Sequence, residues 1–138
     1  MIDSMHRFYR TSIFLLIFLF LYSCNTSSKI AHSGVMYFTF MELNMEKYNN
    51  DTVLVDLNIN GKEGVVDMLS YEITLQKWEN DDWIDIKSWN KEIYSDRYGD
   101  SKYVSIQAGG KYRTSAYLTA YHGTISETQQ MYSNTIVF

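Results

Sequence analysis

Histidine and cysteine, which often serve in acid–base and nucleophilic catalysis, are few in this 138-residue chain, with three and one respectively. His122 stands in a stretch where apolar and polar residues alternate, and no serine or carboxylate can be assigned to it as a partner. A Gly-x-Ser-x-Gly turn, which would present a nucleophilic serine, does not occur in the sequence. His122 is therefore interpreted as a surface turn residue. The sequence predicts neither a catalytic site nor a cofactor.

A short acidic stretch offers the oxygen ligands that calcium prefers. It runs from Glu79 to Asp82 and is followed by Asp85. In a calcium-binding loop of the EF-hand type beginning at Asp81, the sixth position would have to be glycine, and here it is Ile86. The interpretation we prefer is the solvated tip of a hairpin. No metal site is predicted.

Aromatic side chains are the third candidate for function. The residues expected to form an exposed binding surface are Trp78, Trp83, Tyr117 and Tyr121. Aromatic rings on a sheet can stack on sugars or bind a protein partner. Packing between sheets, or pairing across strands, is the alternative, because aromatic residues are favoured at those positions in any case. Of the two residues Trp78 and Trp89, Trp89 is the stronger candidate for a place in the core.

The only cysteine, Cys24, lies three residues after the end of an apolar run from Ile13 to Leu21. A single cysteine excludes an intrachain disulfide. A lone cysteine often behaves as a small buried hydrophobe, but a position shortly after such a run is a poor place for a core residue. Positive residues precede the run, which has nine residues, too few for a transmembrane helix of about 20. This pattern is typical of a secretory signal peptide.

The segment Leu21-Tyr22-Ser23-Cys24 resembles the lipobox at which bacterial lipoproteins are cleaved and lipidated. Leu21 lies three residues before the cysteine, and the small Ser23 lies directly before it. The resemblance implies that residues 1–23 are a signal peptide and that Cys24 carries the lipid. Tyr22 stands where the family has a small or aliphatic residue, so an uncleaved signal anchor is the alternative. Both interpretations place the rest of the chain outside the cytoplasm.

The chain after Cys24 divides into a tether and one domain. Residues 24–33 are polar and predict a flexible tether, and residues 34–138 predict a single domain. Asn25 replaces the aspartate of an inner-membrane retention signal, which implies the outer membrane if the cell is Gram-negative. The net charge after residue 23 is about −5, with no basic stripe. Nucleic acid is therefore not an expected partner, whereas the membrane is, through the lipid on Cys24.

Within the domain, strand signals recur and no helix-period apolar stripe is present. The predicted strands are 35–43, 53–61, 69–76, 83–89, 103–108, 112–122 and 131–138. Residues 90–102 are predicted to be an irregular crossover. Strict alternation places Trp83 and Trp89 on one face of the fourth strand. About seven strands without a helix or repeat predict an all-β, antiparallel two-sheet sandwich after a helical signal segment.

The second half of the chain shows a further resemblance. The residues that carry it are Leu75-Gln76-Lys77, Trp83, Trp89, Gly110-Lys111-Tyr112-Arg113, Ala116-Tyr117, Tyr121 and Glu127. Together they resemble a family of small secreted bacterial proteins of unknown function, mostly Gram-positive, which are similar to immunoglobulin or fibronectin type III sandwiches. The resemblance implies that Tyr112 is a tyrosine-corner residue, whose hydroxyl bonds the backbone between the fifth and sixth strands.

These observations together indicate a class of function. We expect a lipid-anchored, non-enzymatic β-sandwich that binds a protein or glycan at the bacterial cell envelope. A structural or accessory subunit of an envelope complex is the alternative. An envelope hydrolase is the least favoured class, because no acid–base pair or nucleophile is recognisable in the sequence.

Overall fold

The computed structural model describes residues 36–138, and all regular structure in that range is β-strand. The strands are β1 (Phe38–Lys47), β2 (Thr52–Gly61), β3 (Met68–Glu79), β4 (Asp82–Ile93), β5 (Arg97–Ser105), β6 (Lys111–His122), β7 (Ile125–Tyr132) and β8 (Ile136–Val137). None of the described residues belongs to a helix long and apolar enough to cross a bilayer. The predicted signal peptide, its helix, Cys24 and the tether lie outside the described residues.

The strands form two antiparallel sheets. The first has the order β1-β2-β5, and the second has the order β4-β3-β6-β7, with β8 also paired to β6. In the immunoglobulin sandwich the first, second and fifth strands likewise share one sheet, and the third, sixth and seventh share the other. Here β4 pairs with β3 and so joins the second sheet. The predicted all-β, two-sheet sandwich is confirmed.

Alternation along the strands builds the core between the sheets. Side chains of β2 and β3 that face the opposite sheet are buried, namely Val53, Val55, Leu57, Ile59, Leu69, Tyr71, Ile73 and Leu75. On β6 the inner positions are buried as well, namely Tyr112, Ala116, Leu118 and Ala120. Successive side chains of a strand point to opposite faces, so each central strand supplies one apolar row. Removal of these rows from water stabilises the sandwich.

The fourth strand differs from its prediction in one respect. Its register with β3 shifts between Leu75 and Gln76, which leaves Ile86 as an extra residue in β4. Such a β-bulge reverses the alternation of side chains on either side of it. Trp83 therefore lies on the outer face, whereas Trp89 packs against the core. The prediction of a single face for both tryptophans was wrong, because alternation counted along one strand does not detect an inserted residue.

Two polar segments also form strands against expectation. Residues 90–102, predicted as an irregular crossover, contain the end of β4, a short turn and most of β5. Residues 125–130, predicted as a turn, belong to β7. All three strands lie at sheet edges, where polar and charged side chains are common because they discourage pairing with other chains. Eight strands are described where about seven were expected, because the predicted strand 131–138 is divided between the end of β7 and β8.

The sandwich has two ends. We term the end that contains the first described residues the near end, and the opposite end the far end. At the near end, the Tyr37 carbonyl accepts a hydrogen bond from Lys62 N at 2.7 Å, and Gly61 N donates to the Asp96 carbonyl at 2.6 Å. The far end carries the β3–β4 turn, where Asn80 and Asp81 have φ values of 52° and 64°. Strands of 10–12 residues separate the two ends by about 35 Å.

Candidate functional site

The outer face of the second sheet carries two of the predicted binding residues in contact. Trp78 of β3 pairs directly with Trp83 of β4 beside the far-end turn. Their ring centroids are 5.2 Å apart with an interplanar angle of 67°, an edge-to-face arrangement that aromatic pairs prefer. The two-residue turn at Asn80 and Asp81 positions this pair, because positive φ values at both residues match the twist of the flanking strands.

A cation joins these tryptophans to a third aromatic residue. The guanidinium carbon of Arg113, on β6, lies 4.3 Å from the ring centroid of Trp83 and 4.3 Å from that of Tyr132, on β7. The ammonium of Lys111 lies 5.8 Å from the Trp78 ring. We term Trp78, Trp83, Lys111, Arg113 and Tyr132 the aromatic–cation cluster. Tyr132 was missing from the predicted surface, although it lies within the predicted strand 131–138.

Hydrogen bonds hold the central cation of this cluster in place. Arg113 Nε donates to Gln76 Oε1 at 2.9 Å, and Gln76 Nε2 donates to Asp85 Oδ1 at 2.8 Å. The resulting polar row crosses β4, β3 and β6. Asp85, considered above as a calcium ligand, is thus engaged with an amide. Within residues 36–138 no group of three or more His, Cys, Asp or Glu side chains is arranged to hold a metal ion.

The predicted surface residues Tyr117 and Tyr121 share this face but not the cluster. On β6 they lie opposite Glu72 and Met68 of β3, at four and eight residues from Arg113. A rise of about 3.3 Å per residue places them about 13 and 26 Å from that cation along the strand. Tyr117 is 49% exposed in the middle of the sheet. The structure thus brings Trp78 and Trp83 together. Tyr117 and Tyr121 lie on the same face, closer to the near end.

Tyr112 lies on the inner side of the same strand segment. Its side chain is 1% exposed, and its hydroxyl donates to the Gln107 carbonyl at 2.9 Å. Its ring also meets Phe138 edge to face at 5.9 Å between centroids. This hydrogen bond across the β5–β6 connection is the contact expected of a tyrosine corner. It holds the start of β6, and therefore the backbone that carries Lys111 and Arg113.

A charged pair flanks the cluster at the end of β3. Lys77 Nζ lies 2.6 Å from Glu79 Oε1. The hydrogen bond to this carboxylate raises the pKa of Lys77 above its ordinary value. The two opposite charges balance each other at the end of β3.

His122 lies far from the cluster, at the near end. Its Nδ1 is 2.6 Å from the Val65 carbonyl oxygen and 3.6 Å from Asp67 Oδ2. Gly123 N donates to the same Asp67 carboxylate at 2.7 Å. These contacts tie the β6–β7 turn to the loop between β2 and β3. His122 is exposed, as expected, but it is the last residue of β6 rather than part of the turn, which begins at Gly123.

The chain was also compared with known proteins. No protein-family model matches it, and no curated protein or solved structure shows a significant match. Inference about its function therefore depends on the geometry of its own residues.

Proposed function

We propose that this protein is a lipid-anchored, extracytoplasmic and non-enzymatic binding protein, which presents the aromatic–cation cluster to a protein or glycan of the bacterial cell envelope. The observation that carries the proposal is the position of the cluster. It lies on an outer sheet face at the far end, about 35 Å from the start of the described chain. A chain tethered at its beginning would direct that end away from the membrane.

The chemistry of the cluster supports a binding role. Tryptophan, tyrosine and arginine are the residues most enriched in the energetic centres of binding surfaces. Arg113 is held between two rings and by Gln76, so little further side-chain entropy would be lost on binding. Each indole or phenol ring also combines an apolar surface with one polar group, so it can contact both sugars and protein side chains.

Anchorage through Cys24 is the second part of the proposal. The lipobox resemblance at residues 21–24 supports cleavage before Cys24 and acylation of its thiol. Two acyl signals would hold a small domain on a membrane firmly, whereas a single chain would not. The location would be the outer face of the cell membrane, or the outer membrane in a Gram-negative cell, as Asn25 suggests.

An accessory structural subunit of an envelope complex is the second candidate. One observation favours it: Arg113 fills the space between Trp83 and Tyr132, so part of each ring surface is already used within the domain. In that case the cluster would mainly stiffen the second sheet. A partner would then be held elsewhere, at a sheet edge for example.

Capture from the protein's own envelope separates the two candidates. The full chain would be used as bait, beside a Trp78→Ala/Trp83→Ala variant and a Tyr103→Ala control from the outer face of the first sheet. The proposal predicts that the double variant loses the captured partner while the control retains it. Undiminished capture by a folded double variant would favour the accessory role. Thermal unfolding of each bait establishes that it is folded.

The anchor is tested independently of binding. Cells expressing the full chain would be supplied with a fatty-acid analogue that can be detected after incorporation. The wild-type protein should become labelled, and a Cys24→Ala variant should not. Labelling that persists in the variant would refute the assignment of Cys24.

A further inference from the structure

The two long sides of the sandwich, where edge strands of the two sheets meet, differ in chemistry. On the side of β1 the inward residues Met41, Leu43 and Met45 are apolar and buried. The opposite side lies between β4 and β5, the other edge strands. Its inward residues include three lysines, Lys87 and Lys91 of β4 and Lys102 of β5. We term this side the lysine side.

The strand registers establish that these lysines face inward. Lys87 and Lys91 pair with buried residues of β3, and Lys102 pairs with a buried residue of β2. Directly paired residues of neighbouring strands point to the same face of a sheet. All three side chains therefore leave their sheets toward the gap between β4 and β5, not toward the outer faces.

Aromatic rings accompany the lysines. The Lys102 ammonium lies 5.1 Å from the ring of Trp89, and the Lys91 ammonium lies 4.7 Å from the ring of Tyr98. Lys91 Nζ also donates to the Tyr98 hydroxyl at 2.9 Å, and that hydroxyl donates to Asp100 Oδ2 at 2.9 Å. Trp89 and Tyr98 are both half-buried against the core. Ring contacts thus hold two ammonium groups at the mouth of the gap.

The charge balance of the lysine side is unusual for this protein. The chain carries a net charge of −4, yet no carboxylate in the described part lies within ion-pair distance of Lys87, Lys91 or Lys102. Asp100 faces the same side and is engaged by the Tyr98 hydroxyl. A local excess of positive charge therefore persists on one side of an acidic domain.

We propose that the lysine side binds a linear anionic polysaccharide. Lys87 and Lys91 are four residues apart on one strand, a separation of about 13 Å. Charges at this spacing, with the half-buried indole of Trp89 between them, suit a polymer with repeated charges and sugar rings better than a single small anion. Lysine is a compact point charge without the planar fork of arginine. The site would therefore recognise the density of negative charge along the polysaccharide rather than the shape of one anionic group. It is distinct from the aromatic–cation cluster.

Lysines on edge strands also discourage pairing between sheets of different molecules. That role needs no ligand, and it predicts no difference between charged and neutral polymers. Binding of an anionic polymer that depends on these particular lysines is the property that distinguishes the two roles.

The test uses the full chain with three fluorescent polymers in 50 mM salt: hyaluronan, polygalacturonate and neutral dextran. Vesicles of phosphatidylglycerol form a separate arm. Both anionic polymers should bind and dextran should not. A Lys87→Gln/Lys102→Gln variant should lose about tenfold or more in affinity and show a weaker dependence on salt, because two ionic contacts are removed. The matched control, Lys47→Gln/Lys62→Gln, has the same net charge and should stay within about twofold.

Three outcomes would overturn the proposal: no binding of either anionic polymer, an equal loss in both double variants, or binding to anionic phospholipid vesicles alone. Thermal unfolding of the two variants establishes that each is folded. The Trp78→Ala/Trp83→Ala variant should bind hyaluronan as the wild type does. Failure at the lysine side is therefore distinguishable from failure of the aromatic–cation cluster.

Discussion

The guanidinium of Arg113 lies 4.3 Å from the ring centroid of Trp83, although the two residues stand on strands separated by β3. Tyr132 covers the guanidinium at the same distance. One cation thus links β4, β6 and β7 on the outer face of the second sheet. Arg113 is thus proposed to contribute both to the stability of the domain and to binding, and separate measurements can distinguish the two contributions.

Substitution of Arg113 tests its contribution to stability. Arg113→Ala removes both ring contacts and the hydrogen bond to Gln76. We expect the free energy of unfolding to fall by about 1–2 kcal/mol, measured by urea denaturation. Arg97→Ala is the control, since Arg97 forms an exposed pair with Glu63 and should change stability by less than about 0.5 kcal/mol. Equal effects would show that the ring contacts contribute nothing.

Substitution of Tyr112 tests the hydrogen bond to the β5–β6 connection. Tyr112→Phe keeps the buried ring and leaves the Gln107 carbonyl without this donor. A loss of about 1 kcal/mol in the free energy of unfolding is expected. Tyr117→Phe removes the hydroxyl of an exposed tyrosine on the same strand and should have little effect. If both variants unfold at the same urea concentration, the Tyr112 hydroxyl is not a structural tie.

Substitution of Asn134 tests how the edge of β1 is protected. Its side-chain amide accepts a hydrogen bond from Met45 N at 2.9 Å and donates to the Met45 carbonyl at 2.8 Å, as a neighbouring strand would. Asn134→Ala should therefore lower the free energy of unfolding by about 1–2 kcal/mol. Asn90→Ala, on an exposed part of β4, should change it by less than about 0.5 kcal/mol. A smaller loss for Asn134→Ala than for Asn90→Ala would contradict the assignment.

The central strands were predictable because a period of two is visible wherever one face is apolar. The alternation in β2 and in β6 identifies the residues that the structure buries. β5 was missed in part because its inward residues Tyr98, Asp100 and Lys102 are polar or amphipathic at a sheet edge. No local pattern could reveal the contact between Asn134 and Met45, which joins residues 89 positions apart.

The candidate site was predictable only in part, for the same physical reason. Trp78 and Trp83 stand on either side of a turn signal, so their pairing follows from the hairpin. Arg113 lies on the outer face of its strand, but its position between two rings depends on the order of strands in the sheet. That order, and with it the role of Tyr132, is set by packing across the whole sandwich rather than by neighbouring residues.

Alkaline pH should destabilise the domain through Tyr71. Burial, and next the nearby Tyr98, raise the pKa of Tyr71 to about 12. The unfolded chain loses this proton near pH 10, so the stabilisation is complete below pH 10 and is lost as the pH rises toward 12. The urea concentration at the midpoint of unfolding should therefore decrease when the pH is raised from 9 to 11. Tyr71→Phe should reduce that fall, and an unchanged fall would exclude Tyr71 as its source.

Photo-crosslinking tests most directly the claim that an envelope partner binds the outer face of the second sheet. A photoreactive phenylalanine derivative would replace Trp78, or Tyr103 on the outer face of the first sheet, in the full chain. Tyr103 is 59% exposed and therefore a stringent control for accessibility. After irradiation with native envelope fragments, we predict a crosslinked product from position 78 and none from position 103. No product from position 78, or equal products from both positions, would contradict the proposed function.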